Sequence, residues 1–210
     1  MTIANNIAQV ALEVGAIQIN ARNPFTWASG FKMPIYNDNR LLLGNAKHRS
    51  LIAEGYTGLL KKHAADVEVI AGTATAGIPH ATSLADLLQV PLIYVRSTAK
   101  SHGMGNKIEG ILKKNQRVLV IEDLISTGGS AVNAVTAIRE AGGIVNHCFS
   151  IFSYGFPEAS EKFKGISCQN DSILVFAELL KIAQLTKHIS LNDIKTLQSW
   201  QKNPFNWKSG

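Results

Sequence analysis

The stretch that most constrains the fold is Val118-Leu119-Val120-Ile121-Glu122-Asp123-Leu124-Ile125-Ser126-Thr127-Gly128-Gly129-Ser130. Its first four residues are aliphatic and three are β-branched, a composition suited to a buried parallel strand. Two carboxylates follow, then small hydroxylated residues and two glycines. Ala131, Val132, Ala134, Val135, Ile138 and Ala141 then recur at helical spacing until Gly142-Gly143 stops the pattern. The run therefore predicts a strand, a loop and a helix, with polar groups at the carboxyl end of the strand. Open α/β sheets place their ligands there.

The loop has its own chemistry. Backbone N–H groups from Ser126 to Ser130, at a helix N-terminus, form a concave donor array that suits a monophosphate. Glycine lets that backbone come close to the phosphate, and Ser126, Thr127 and Ser130 add hydroxyl donors. Glu122 and Asp123 repel phosphate but accept hydrogen bonds from vicinal hydroxyls. A ligand with a phosphate at one end and a diol at the other, such as ribose 5-phosphate, satisfies both halves. Asp123 is expected on a solvent-facing loop.

On these residues the segment resembles the phosphoribosyl-pyrophosphate motif of the type I phosphoribosyltransferases, and its wording is similar to that of the orotate phosphoribosyltransferases. The resemblance implies an α/β fold with a central, mainly parallel sheet flanked by helices and a small N-terminal hood. It also implies that Glu122, Asp123, Leu124, Ile125, Ser126, Thr127, Gly128, Gly129 and Ser130 contact 5-phosphoribosyl 1-diphosphate (PRPP), with Asp123 among the catalytic residues and Ser126 also facing orotate.

A second stretch carries the same resemblance. After a strand at 91–95 comes Arg96-Ser97-Thr98-Ala99-Lys100-Ser101-His102-Gly103-Met104-Gly105-Asn106-Lys107, with no apolar periodicity and several cationic side chains. A long loop of this kind in a compact domain reads as a lid. It resembles the Arg-x-x-x-Lys-x-His-Gly catalytic loop of the orotate enzymes, which makes Lys100 and His102 catalytic candidates and Arg96 a further PRPP contact. Purine enzymes of the same fold lack this wording.

The remaining chain is less specific. Residues 3–14 and 45–63 read as helices. A strand at 67–71 leads into a small-residue loop, Gly72-Thr73-Ala74-Thr75-Ala76-Gly77, and a helix through Leu88, which repeats the geometry of the central motif. Residues 23–40 are rich in aromatics, Pro and Asn and read as two short strands around a Ser-Gly turn. They resemble the orotate hood, which makes Lys32 and Arg40 candidate orotate contacts. Relatives carry lysines where this chain has Ala28, Ala76 and Ser97. Some also carry an orotate-contacting arginine where this chain continues Ser153-Tyr154-Gly155-Phe156-Pro157. A strand is expected at 144–154, helices at 173–184 and 191–200, and Trp200 and Trp207 are expected to pack on the domain.

Composition sets the outer limits. A chain of 210 residues, 46% hydrophobic, can bury one sizeable core, read as a hood over 1–43, a core over 44–180 and a helical tail over 181–210. The net charge of +6 is dispersed, so no nucleic-acid arm is indicated and small polyanions are favoured. No membrane-spanning run or signal peptide is read, and Cys148 and Cys168 lack metal-ligand spacing, so a cytoplasmic protein with reduced thiols is expected. His48, His63, His80, His147 and His188 are scattered and read as surface or core residues, and no protein metal ligands are assigned. The resemblance further implies Mg²⁺ as cofactor and a homodimer with shared active sites. Two alternatives stand beside orotate transfer: a purine-type phosphoribosyltransferase, and a non-enzymatic regulator that senses PRPP.

Overall fold

The computed structural model describes residues 2–27, 30–63, 65–98 and 107–207. Helix α1 (Ile3–Glu13) is capped by the Thr2 hydroxyl, which accepts from Asn5 N at 3.2 Å. Four short strands follow: β1 (Ile17–Ile19), β2 (Phe25–Thr26), β3 (Lys32–Met33) and β4 (Ile35–Asn37). They form two small antiparallel pairs, β1 with β4 and β2 with β3, and make up the expected hood. A 3-10 turn (Asn39–Gly44) leads to α2 (Ala46–Lys62), whose N-cap is Asn45.

The core then alternates strand and helix: β5 (Val69–Thr73), α3 (Gly77–Leu88), β6 (Leu92–Val95), β7 (Ile108–Glu109), β8 (Arg117–Ile125), α4 (Gly129–Glu140), β9 (Ile144–Ser153), α5 (Pro157–Gly165) and β10 (Gln169–Val175). Helices α6 (Phe176–Leu185) and α7 (Leu191–Lys202) end the described chain. The six-stranded sheet has the order β10-β9-β8-β5-β6-β7. All neighbours are parallel except the short edge strand β7. One apolar cluster, containing Ile7, Leu84, Phe149 and Trp200, covers one face of the sheet. The other, containing Val118, Val120, Val135 and Phe163, covers the opposite face.

Strand β5 and strand β8 lie side by side, yet the chain leaves them toward opposite edges. The crevice between their carboxyl ends is therefore the switch point where such sheets hold ligands. The close fit here depends on Gly77. A Cβ at Gly77 would lie 2.5 Å from the Ile121 carbonyl oxygen, a backbone atom that cannot yield. Gly77→Ala is expected to cost about 1–3 kcal/mol through overpacking, measured as a lower Tm. A variant as stable as wild type would mean that the contact between α3 and β8 relaxes freely.

Three expectations are corrected. Glu122 and Asp123 are not on a loop: β9 keeps pairing past them, with Glu122 opposite Ser150 and Leu124 opposite Phe152, so β8 runs on to Ile125. Residues 173–175 belong to strand β10 rather than to a helix, because Leu174 and Val175 pair with Phe152 and Ser153. The strand expected at 67–71 begins at Val69 and runs on to Thr73, which pairs with Val95. The tail packs as expected. Trp200 is fully buried against Tyr154, Phe156 and Phe176, and its indole N–H points at Met33 Sδ in the hood, 3.0 Å away.

Candidate active site

Strand β8 delivers the acidic pair into the switch point. Glu122 is 5% exposed. Its Oε2 accepts from the Ser130 hydroxyl at 3.2 Å and its Oε1 from the Asp123 amide at 3.1 Å. The strand itself is held from two sides at this point. Tyr56 of α2 donates to the Glu122 carbonyl at 2.9 Å, and Thr73 of β5 donates to the Ile121 carbonyl at 3.1 Å. Asn39, at the start of the 3-10 turn, donates to the Asp123 carbonyl at 2.8 Å. The hood is thereby bonded directly to the acidic strand.

Burial raises both carboxyls, and repulsion from Asp123 raises Glu122 further. Glu122 is pushed from its ordinary 4.5 to about 8, mainly by burial and then by the charge of Asp123. Asp123 is also raised, mainly by burial. Two adjacent carboxylates out of water therefore retain a proton between them near neutrality. Because the native state binds that proton more tightly than the unfolded chain does, Glu122 supports stability below about pH 4.5. That support is lost as pH rises through about 8. Glu122→Gln is accordingly expected to match wild type in Tm near pH 5 and to exceed it near pH 8.5. A Tm difference that does not change with pH would remove Glu122 as the source of the slope.

Beyond Ile125 the backbone turns through Ser126, Thr127 and Gly128 into α4. Gly128 has φ +77° and serves as the N-cap without a side chain. A Cβ there would also sit 3.3 Å from the Phe163 ring and 3.4 Å from Ala159 of α5. This glycine is thus required by its backbone angle and by packing. Gly129 has nothing within 4 Å of where its Cβ would be, the open approach expected of a glycine that faces an anion. Of the hydroxyls assigned to phosphate, Ser130 is engaged with Glu122.

Two cavities flank this turn. One, of about 580 Å³, is lined by Thr26, Trp27, Tyr36 and Asn37 of the hood, Leu124 and Ser126 of the motif, and Tyr154 beyond β9. The Trp27 indole is fixed as its wall by a 3.1 Å bond to the Ile35 carbonyl. The other cavity is smaller, about 110 Å³, and brings Arg96 and Lys107 beside Thr73, Ser130 and Asn133. Arg96 lies 3.5 Å from Glu109. On the side of β5, the turn at 74–76 contains a cis Ala74–Thr75 peptide and leads directly into α3.

The other candidate residues are placed differently. Lys32 donates to the Thr26 hydroxyl at 2.8 Å, and Arg40 forms a two-pronged pair with Asp38 at 2.6 and 2.9 Å. Neither lines the cavity that holds Ser126. Lys100 and His102 lie outside the described residues, as does Ala28. Among the described residues no group of three or more His, Cys, Asp or Glu is placed to hold a metal ion, and no helix is long and apolar enough to cross a membrane. Sequence reasoning missed Asn37, Asn39 and Tyr154. The only signal for them was their position beside the hood turn and the end of β9.

The chain matches the family model described as the phosphoribosyl transferase domain over residues 47–175. It is 46% identical over 207 residues to an orotate phosphoribosyltransferase of Listeria monocytogenes serotype 4b, covering 99% of both chains. Among solved structures, the orotate phosphoribosyltransferase of Aeropyrum pernix superposes with a TM-score of 0.75 at 28% identity, covering 88% of this chain and 99% of that one. That of Mycobacterium tuberculosis, in complex with PRPP, gives 0.66 at 25% identity, covering 84% and 98%.

Proposed function

The chain belongs to the phosphoribosyl transferase family, among the orotate phosphoribosyltransferases, and from that premise we propose that the β8–α4 turn holds PRPP and the hood cavity takes orotate. The reaction transfers ribose 5-phosphate to N1 of orotate, giving orotidine 5′-phosphate and diphosphate, a step of pyrimidine biosynthesis. The observation that carries the assignment of sites is the shared wall. Leu124 and Ser126 of the phosphate motif line the same cavity as Trp27 and Tyr36 of the hood, so a planar base there abuts a phosphoribosyl group on the turn.

In this reading Glu122 and Asp123 accept the ribose hydroxyls, and the amides of Ser126 to Ser130 receive the 5-phosphate. The N1–C1′ bond forms as the bond from C1′ to diphosphate breaks, the diphosphate leaves with the electron pair, and the proton on orotate N1 passes to the departing diphosphate. Positive charge then develops on the ribosyl ring, near the acidic pair, and negative charge on the leaving group. Arg96, Lys100 and His102 offset the latter, so catalysis is by positioning and electrostatics rather than by a covalent intermediate. Closure of the loop over the site excludes water as a competing nucleophile.

A Mg²⁺ ion would add charge neutralisation at the diphosphate. Among the described residues no cluster of three or more His, Cys, Asp or Glu could hold it, so the ion would be bound largely by substrate oxygens and water, with the Glu122–Asp123 carboxylates beside it. We place the enzyme in the cytoplasm as a homodimer whose loop serves the partner's site. Cys148 and Cys168 are free and buried, and burial raises both thiols, which fits a reducing compartment.

The test is a panel of bases. Purified protein with PRPP and Mg²⁺ should form nucleotide from orotate and not from hypoxanthine or adenine. Nucleotide from a purine base alone would assign the chain to the purine branch. No nucleotide from any base, with PRPP bound, would favour a sensor.

A further inference from the structure

Two residues on the wall of the hood cavity carry buried polar side-chain atoms that the described residues leave unmatched. Tyr154 is fully buried, and its hydroxyl has no hydrogen-bond partner among the described residues. Its ring is held in place. Phe156 stacks on it at 5.3 Å, Phe152 and Trp200 meet it edge-on at 5.1 and 5.5 Å, and Trp27 lies at 5.7 Å. Swinging out to find water is not open to such a ring. Burial and the nearby Tyr36 and Asp123 hold the hydroxyl in its neutral form, so it keeps a proton to donate.

The second atom is Asn37 Oδ1, buried and likewise without a partner among the described residues. Its role as acceptor follows from a relay. The Asp123 carbonyl can only accept, so the Asn39 amide turns its NH₂ toward it, at 2.8 Å. Asn39 Oδ1 then faces Asn37 and receives the Asn37 NH₂ at 3.1 Å. Asn37 is left presenting its oxygen. Both Asn37 and Tyr154 line the cavity with Ser126. Buried polar atoms without partners are disfavoured in folded proteins, and where they line a cavity they mark what its ligand must supply.

We propose that Asn37 and Tyr154 are the residues that read the pyrimidine: Asn37 Oδ1 accepts the ring N3–H, and the Tyr154 hydroxyl donates to a flanking carbonyl oxygen. Orotate carries one ring donor besides the reacting N1, set between two carbonyl acceptors, and this pair of side chains complements that edge. Adenine presents a bare ring nitrogen beside an amino donor, the reverse pattern. The inference rests on the reading of this cavity as the orotate site and adds base-recognition residues to the Lys32 and Arg40 candidates, which do not line it.

The test uses Tyr154→Phe, Asn37→Ala and 3-methylorotate, in which a methyl group replaces the N3 proton and both ring carbonyls remain, as a competitive inhibitor. Tyr154→Phe removes a hydroxyl with no partner among the described residues, so its Tm should equal or exceed that of wild type while its KM for orotate rises about 5- to 10-fold, the size of one lost neutral hydrogen bond. The KM for PRPP should stay put, which a merely structural role would not predict. Wild type should bind orotate at least about 10-fold more tightly than 3-methylorotate, and Asn37→Ala should erase most of that preference. The inference is overturned if Tyr154→Phe uses orotate like wild type, or if wild type does not distinguish the two compounds. Wild type that makes no nucleotide from orotate would instead overturn the parent reading, so the two failures are separable.

Discussion

Lys100→Ala is expected to lower turnover by about 10²–10³, the scale of a lost contact to charge that develops in the transition state. If Lys100 meets the diphosphate mainly as it departs, the KM for PRPP should change far less. A mixing experiment tests the proposed dimer. If each loop serves the neighbouring subunit's site, a Lys100→Ala chain mixed with an Asp123→Asn chain gives heterodimers with one intact site and one lacking both residues. Activity should then recover toward about half of wild type per heterodimer, assuming independent sites. Heterodimers that form and remain inactive would show that each loop serves its own chain.

Asp123→Asn is the second large effect. The substitution keeps the shape of the side chain, and the backbone at this position is anchored independently: the Asp123 carbonyl accepts from Asn39 and its amide donates to Glu122. The fold should therefore persist. Losing a charge-assisted hydrogen bond to a ribose hydroxyl costs about 1.5–3 kcal/mol, or on the order of 10- to 150-fold in kcat/KM for PRPP. Removing one of two repelling carboxyls should also bring Glu122 back down toward its ordinary range. A variant that binds and turns over PRPP like wild type would remove the acidic pair from the substrate-holding role.

Much of this site is legible in the chain because its signals are local. The aliphatic run Val118 to Ile121, the small residues after it and the apolar spacing of α4 all lie within about two dozen residues, and each points to the same strand–turn–helix unit. The caps of α1 and α2 are likewise written in Thr2 and Asn45. What was missed depends on distant partners. Strand β10, beginning Gln169-Asn170-Asp171-Ser172, has little apolar character and forms because β9 offers it an edge. The depth of Glu122 depends on Tyr56, Thr73 and Ser130, which come from three other elements. The acceptor role of Asn37 follows only once Asn39 is seen to span 84 residues to the Asp123 carbonyl.

The central claim is that PRPP lies across the end of β8 and the start of α4. Amide ¹H–¹⁵N spectra of the labelled protein, recorded as PRPP and Mg²⁺ are added, test it most directly. The account predicts that the largest shifts fall on Ser126 to Ser130, with Glu122 and Asp123 close behind, and that inorganic phosphate alone moves the Ser126 to Ser130 set. Saturation with PRPP that leaves those amides unmoved, with shifts gathered elsewhere on the chain, would contradict it.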